Sequence, residues 1–113
     1  MHEMSLVQRA IELVMEEMNK ANARAVQEIT IEIGECAGVE DSSLWFAWDV
    51  AVVGTMLEQA KRRVQKVEGL ARCNACGVLY ELHHLYDPCK NCNSFDRTII
   101  QGDEFRIKSL VIE

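Results

Sequence analysis

The chain has 113 residues, 49% hydrophobic and 27% charged, which is typical of one small folded domain and excludes two large cores or a disordered chain. Its formal net charge of −6 would repel a phosphate backbone, so nucleic acid is disfavoured as a partner. The start of the sequence lacks the pattern of a secretory signal, and its apolar runs are too short to span a bilayer. We therefore expect a soluble cytoplasmic protein.

The first predicted element is an amphipathic helix over about Ser5 to Ala21. Apolar residues recur in it at intervals of three and four, the spacing of a helix face that packs on a core. They are Val7, Ile11, Val14 and Met18. A strand is predicted next, at residues 28–33, where polar and β-branched apolar residues alternate before Gly34.

A second helix is predicted from about Ser42 to Val53, ending before Gly54. Asp41 and Ser42 precede its apolar residues, and their side-chain oxygens could cap its first turn. Three aromatic residues cover more than one side of this helix, so we expect at least one of them to stay exposed. They are Trp45, Phe46 and Trp48.

Three further strands are predicted, at residues 63–68, 97–101 and 104–112, after a helical turn at 55–60. The alternation in the last strand slips near Ser109, which predicts a β-bulge there because one extra residue reverses side-chain parity. The fold class is therefore α+β. Two helices lie on one face of a small antiparallel or mixed sheet, and a cysteine module is inserted between two of its strands.

The cysteine module contains two Cys-x-x-Cys pairs, each in a tight turn followed by a residue that tolerates positive φ, Gly77 or Asn93. The four cysteines are Cys73, Cys76, Cys89 and Cys92. Four thiolates complete a closed tetrahedral shell around zinc, which predicts a structural site that staples a segment too small to fold alone. Iron in a rubredoxin-like site is the main rival, since the same sulfurs bind it.

Three other residues could bind metal but have a simpler interpretation. Cys36 is expected to be a small buried apolar residue. His83 and His84 lie between the two cysteine pairs and are expected to be exposed polar residues, although either could exchange with a thiolate when the proton or metal load changes.

The N-terminal residues suggest a second metal site. A free Met1 amine, the His2 imidazole and the intervening backbone amide can form fused chelate rings around one ion, and Glu3 adds an oxygen nearby. Deprotonated amide nitrogens favour late transition ions in square-planar sites, so nickel or copper fits better than zinc or magnesium.

Nearly the whole sequence resembles the HypA/HybF family of hydrogenase-maturation nickel chaperones. The motifs that carry the resemblance occur in order along the chain. They are Met1-His2-Glu3, Ile33-Gly34-Glu35, Gly38-Val39-Glu40, Gly54-Thr55, Leu57-Glu58, the two Cys-x-x-Cys pairs and the closing segment from Gly102 to Leu110.

The resemblance implies a nickel-binding domain of helices and a three-stranded sheet, formed by residues 1–70 and 101–113, and a zinc module at 71–100. It implies a transferable Ni(II) bound by His2, Glu3 and the Met1 amine, with Glu40 as a candidate outer ligand, and a structural Zn(II). The implied partners are a HypB-type GTPase, the precursor of the large subunit of nickel-iron hydrogenase and, in some relatives, the urease system. The chain itself is expected as a monomer or homodimer.

No catalytic triad, phosphate-binding loop or pair of carboxylates in a cleft can be assigned, which favours a carrier over an enzyme. Two other classes remain open from the residues. One is a zinc-ribbon adaptor without transferable metal, which predicts no nickel uptake. The other is a rubredoxin-like iron electron carrier, which predicts a red protein as purified.

Overall fold

The computed structural model describes residues 3–113, which contain two helices and six strands. The bounds in chain order are α1 Glu3–Ala21, β1 Val26–Gly34, α2 Asp41–Ala51, β2 Lys61–Val67, β3 Leu70–Cys73, β4 Leu79–Glu81, β5 Arg97–Gln101 and β6 Phe105–Ile112. The strands form two three-stranded sheets, ordered β2-β1-β6 and β4-β3-β5. The α+β class and the three-stranded sheet are confirmed. Within residues 3–113, neither helix is long and apolar enough to cross a membrane.

Helix α1 follows the predicted stripe and begins two residues before the predicted start. Its buried apolar residues are spaced by three and four, which places them on one face. They are Val7, Ala10, Val14 and Met18. The helix ends where Asn22 adopts a left-handed conformation with φ of 52°, and the Ala23 N–H donates back to the carbonyl of Met18.

Strand β1 is the central strand of the first sheet, and its residues Ile29, Ile31 and Ile33 are buried on one face. The predicted strand at 63–68 is β2, in which every residue but the last is exposed. In β6 the burial changes phase, because Lys108 and Ser109 are both exposed between half-buried neighbours. The phase slip therefore lies where the sequence placed it, and the bulge itself stays a prediction.

Helix α2 packs against α1 through a buried face formed by Leu44, Ala47 and Trp48. Its predicted cap was wrong, because the N-cap residue is Glu40 rather than Asp41 or Ser42. Phe46 is 74% exposed, which confirms that one aromatic residue of this helix remains at the surface. In place of the one helical turn predicted at 55–60, the residues after α2 form successive turns, each closed by an N–H that donates to the carbonyl three residues earlier.

The second sheet is antiparallel, with β3 in the centre. Ala71 pairs with Tyr80 of β4 on one side and with Ile99 of β5 on the other. Three residues of this sheet belong to a buried apolar cluster that also contains residues outside the strands. The members of this cluster are Cys36, Ala71, Cys73, Tyr80, Leu82 and Cys89.

The chain divides into two compact units. The first contains the residues up to Ile31, Val39–Val64 and Arg106–Glu113, and the second contains Glu32–Gly38 and Gln65–Phe105. The second unit thus includes the predicted module at 71–100 together with flanking residues on both sides. The division into a nickel-binding domain and a zinc module stays a prediction.

Candidate metal centre

The two Cys-x-x-Cys segments have the same backbone hydrogen-bond pattern. In the first, the Cys73 carbonyl accepts from the Gly77 N–H at 2.9 Å, and the Cys73 N–H donates to the carbonyl five residues later. In the second, the Cys89 carbonyl accepts from the Asn93 N–H at 2.8 Å, and Cys89 N–H again donates to the carbonyl five residues later. Gly77 and Asn93 have φ of 79° and 62°, as the sequence predicted for the residue after each pair.

The two turns bring all four sulfurs together, each Sγ lying within 4.8 Å of the others. The Cys73 and Cys92 sulfurs are 3.5 Å apart, and those of Cys76 and Cys89 are 3.8 Å apart. A tetrahedron with metal–sulfur bonds of about 2.3 Å has sulfur–sulfur distances of about 3.8 Å. The cluster therefore fits a zinc site.

Asn91 donates hydrogen bonds to two of the four sulfurs. The Asn91 N–H donates to the Cys89 Sγ at 3.4 Å, and the Asn91 side chain donates to the Cys76 Sγ at 3.5 Å. The side-chain bond is the largest cause that lowers the pKa of Cys76, to about 6. Asn91 therefore donates to one sulfur of each pair and stabilises the Cys76 thiolate, a role that sequence reasoning missed although its position inside the second pair was a usable signal.

The pKa of Cys92 moves the other way, to about 12. A backbone hydrogen bond from Ser94 lowers it, but hydrogen bonding with Cys73 and burial together outweigh that effect. Adjacent thiols without a cation share protons in this way, because negative charges at such short distances repel. A bound divalent cation would remove the repulsion and hold all four sulfurs as thiolates.

Cys36 is buried, as the sequence predicted, and lies in the same apolar cluster as Cys73 and Cys89. Its thiol donates to the carbonyl of Leu82 at 2.8 Å. Burial, followed by the nearby Glu35 carboxylate, raises its pKa above the usual value of a thiol. Both effects favour a neutral structural thiol over a reactive one.

The two histidines are not part of the group of ligating atoms that the structure assembles within residues 3–113. His83 lies between two carboxylates, with its Nδ1 2.9 Å from Glu35 and its Nε2 3.0 Å from Glu81. His84 has a largely exposed side chain, and its Nδ1 is 3.5 Å from Asp87. Both histidines are therefore surface residues, as the sequence predicted.

Of the predicted nickel ligands, Met1 and His2 lie outside the described residues. Glu3 begins α1 and is 6% exposed, the one charged residue buried in the described part of the chain. Its Oε2 accepts a hydrogen bond from the backbone N–H of Glu40 at 3.3 Å. The structure therefore brings two of the predicted nickel-site residues, Glu3 and Glu40, into contact.

Comparison with known proteins places the chain among related sequences and structures. A family described as "Hydrogenase/urease nickel incorporation, metallochaperone, hypA" matches residues 1–112. A protein named "Hydrogenase maturation factor HypA" from Parabacteroides distasonis is 38% identical over 113 residues, which cover 100% of this chain and 98% of the relative. A protein of the same name from Francisella philomiragia is 37% identical, with 98% of each chain covered.

Two solved structures share the fold. "Solution structure of the Ni metallochaperone HypA from Helicobacter pylori" is similar with a TM-score of 0.71 and 26% identity, over 99% of this chain and 97% of that one. "Solution structure of HypA protein" is similar with a TM-score of 0.68 and 27% identity, over 100% and 97%. The similarity therefore extends over the whole chain.

Proposed function

This chain belongs to the HypA family of metallochaperones, which are not enzymes, and we propose that it binds Ni(II) at its N-terminus and passes it to a nickel enzyme under assembly. The proposed ligands are the Met1 amine, the His2 imidazole and the Glu3 carboxylate. The proposed recipient is the nickel-iron hydrogenase precursor, with the urease system as a further client, and a HypB-type GTPase is the proposed partner in transfer. The proposed location is the cytoplasm.

The observation that supports this site best is the burial of Glu3. A carboxylate taken out of water is unfavourable unless it is hydrogen-bonded or paired with a cation. Glu3 is held by the Glu40 N–H and directly follows His2 in the chain. A cation bound beside it would therefore gain a pre-oriented negative oxygen.

The proposed transfer mechanism is ligand exchange. A site with few protein donors at a chain end can open to a competing ligand more easily than a closed four-thiolate shell. The cluster of four cysteines is therefore proposed to hold a structural Zn(II), and the N-terminal site to hold the cargo. A colourless preparation with one zinc per chain would support zinc over iron in the cluster, and a red one would contradict it.

Nickel titration of untagged protein with its native N-terminus tests the proposal. We expect one Ni(II) per chain with a dissociation constant on the order of 1 μM, equivalent to about −8 kcal/mol. His2→Ala, or two residues added before Met1, should weaken binding at least about 100-fold because each removes part of the chelate. Zinc content should not change in either variant. Unchanged nickel affinity in both would contradict the site.

A further inference from the structure

Glu40 caps helix α2 with both oxygens of its carboxylate. Its Oε1 accepts from the Ser42 N–H at 3.3 Å and from the Ser42 hydroxyl at 2.6 Å, and its Oε2 accepts from the Ser43 N–H at 2.6 Å. Its backbone has the extended conformation of an N-cap residue, with φ of −89° and ψ of 118°. The side chain is therefore committed to the first turn of α2.

The backbone of Glu40 joins this cap to Glu3. The Glu40 carbonyl accepts the Leu44 N–H at 3.0 Å, which is the first hydrogen bond of α2. The N–H of the same residue donates to the Glu3 Oε2 at 3.3 Å. The cap therefore fixes the direction of the amide that holds the buried Glu3 carboxylate.

We propose that Glu40 is a positioning residue of the nickel site, acting through its backbone N–H on Glu3, and not itself a nickel ligand. This inference rests on the proposed function and assigns to Glu40 a role different from the outer ligand that the family resemblance implies. A carboxylate oxygen that accepts one N–H keeps a second lone pair, so the hydrogen bond can orient Glu3 without excluding an ion. Outer-shell contacts of this kind orient metal ligands in many sites.

The cap also opposes direct ligation by Glu40. The Glu40 Oε1 accepts from both the N–H and the hydroxyl of Ser42, which uses both of its lone pairs. Turning the carboxylate to bind an ion would break these bonds and the 2.6 Å bond from the Ser43 N–H to Oε2. The Ser42 and Ser43 N–H groups in the first turn of α2 would then have no carboxylate acceptor.

Two substitutions at Glu40 separate the roles of cap and ligand. Glu40→Ala removes both, and we expect nickel affinity to fall about tenfold, the lower end of losses for outer-shell residues. Glu40→Asn removes the carboxylate but supplies a side chain that caps well, so it should restore affinity to within about twofold of the unsubstituted protein. The nickel absorption spectrum should then be unchanged. An Asn variant as weak as the Ala variant, with an altered spectrum, would overturn the proposal.

Ala47→Gly is the matched control for a general loss of helix stability. It weakens the interior of α2 by an amount similar to the loss of a cap, and its side chain takes no part in the Glu3 contact. We expect its nickel affinity to remain within about twofold of the original. A loss equal to that of Glu40→Ala would mean that α2 stability alone explains the effect, which would overturn the positioning role.

A double-mutant cycle tests the link through Glu3. In a Glu3→Ala background, adding Glu40→Ala should change nickel affinity by less than about twofold, since the carboxylate through which Glu40 acts is already gone. A full additional loss of about tenfold would contradict the link. Each single variant is measured with zinc bound, so that the cysteine cluster is the same throughout.

The contact can also be measured without nickel, which separates this inference from the proposed function. In the metal-free protein, Glu3→Ala should shift the Glu40 amide proton resonance upfield and speed its exchange with solvent, because its acceptor is gone. An unchanged Glu40 amide would overturn the inference even if nickel binds as proposed. A protein that shows the shift but takes up no nickel would contradict the proposed function and leave the Glu3 contact established.

Discussion

The imidazole of His83 lies between two carboxylates, so its protonation is coupled to ion pairing. Both of its nitrogens face carboxylates, Glu35 at 2.9 Å and Glu81 at 3.0 Å. Hydrogen bonding to Glu35, and then to Glu81, raises the pKa of His83 above its ordinary value. A protonated ring can donate to both carboxylates at once, whereas a neutral ring can donate to only one.

The raised pKa predicts how stability changes with pH. Because the pKa of His83 is higher in the folded protein than in the unfolded chain, the protonated ring contributes to the free energy of unfolding. This contribution is fully present below the unfolded pKa of about 6.5 and is lost as the pH rises through the folded pKa. His83→Gln should therefore lower the free energy of unfolding more at about pH 6 than at about pH 8.5. Denaturant titrations at the two pH values measure the difference.

The neighbouring His84 provides the control for this prediction. His84→Gln removes an exposed imidazole without touching Glu35 or Glu81, so its effect should not reproduce that of His83→Gln. An NMR titration of the His83 ring should give a midpoint above about 6.5. A midpoint at or below that value would contradict the two-carboxylate arrangement.

At the scale of elements, three glycines allow segments of the second unit to approach closely. A Cβ at Gly34 would lie 2.0 Å from the Gly102 carbonyl oxygen, and one at Gly102 would lie 2.5 Å from the Cα of Gly69. A Cβ at Gly69 would lie 1.8 Å from the Leu82 oxygen and 2.5 Å from the Cys36 sulfur. Separation of the Gly69 and Leu82 segments would break the bond between the Leu82 N–H and the Gly69 carbonyl.

Gly69→Ala should therefore be strongly destabilising, by about 3 kcal/mol or more, because the obstructing atoms are backbone and cannot rotate away. Gly38→Ala is the matched control. Gly38 has a positive φ of 72° but nothing within 4 Å of an added Cβ, so only backbone strain applies, on the order of 1 kcal/mol. Chemical denaturation of both variants measures the difference, and equal losses would contradict close packing at Gly69.

The elements that the sequence predicted well are those with a clear local period. The stripe of α1 and the alternation of β1 each reflect one buried face, which a linear pattern records directly. Strand β2 gave a weak signal because almost all of its residues are exposed, so neither face imposes alternation.

Long-range contacts left little trace in the sequence. The contact of His83 with Glu35 joins residues 48 positions apart, and the glycine contacts join four separate segments, those at Gly34, Gly69, Leu82 and Gly102. The cap of α2 was missed for a different reason, since glutamate is not among the favoured N-cap residues and Asp41 and Ser42 lay beside it. For the candidate sites, spacing predicted that the four thiols would meet, but it could not predict that Asn91 donates to them or that Glu3 is buried.

At the scale of the whole molecule, the two compact units differ in how they are stabilised. The first has a buried apolar core contributed by α1, α2 and β1, including Val14, Ile29 and Leu44. The second has a smaller apolar cluster in which Cys73 and Cys89 are themselves core residues. A core of this size is seldom sufficient alone, so the proposed zinc should contribute much of the folding free energy of the second unit.

Zinc removal should therefore unfold the second unit selectively. In Cys76→Ser, which removes one thiolate, we expect less than one zinc per chain and exchange of the β3 amides faster by about 100-fold or more. The amides of α1 and α2 should keep their protection, because their core contains no cysteine. Hydrogen exchange followed by mass spectrometry, together with metal analysis, measures both effects. Cys36→Ala is the matched control, since it removes a buried thiol that is not one of the four grouped cysteines and should retain one zinc per chain. Protection of β3 that survived complete loss of zinc would show that the second unit folds on its apolar core alone.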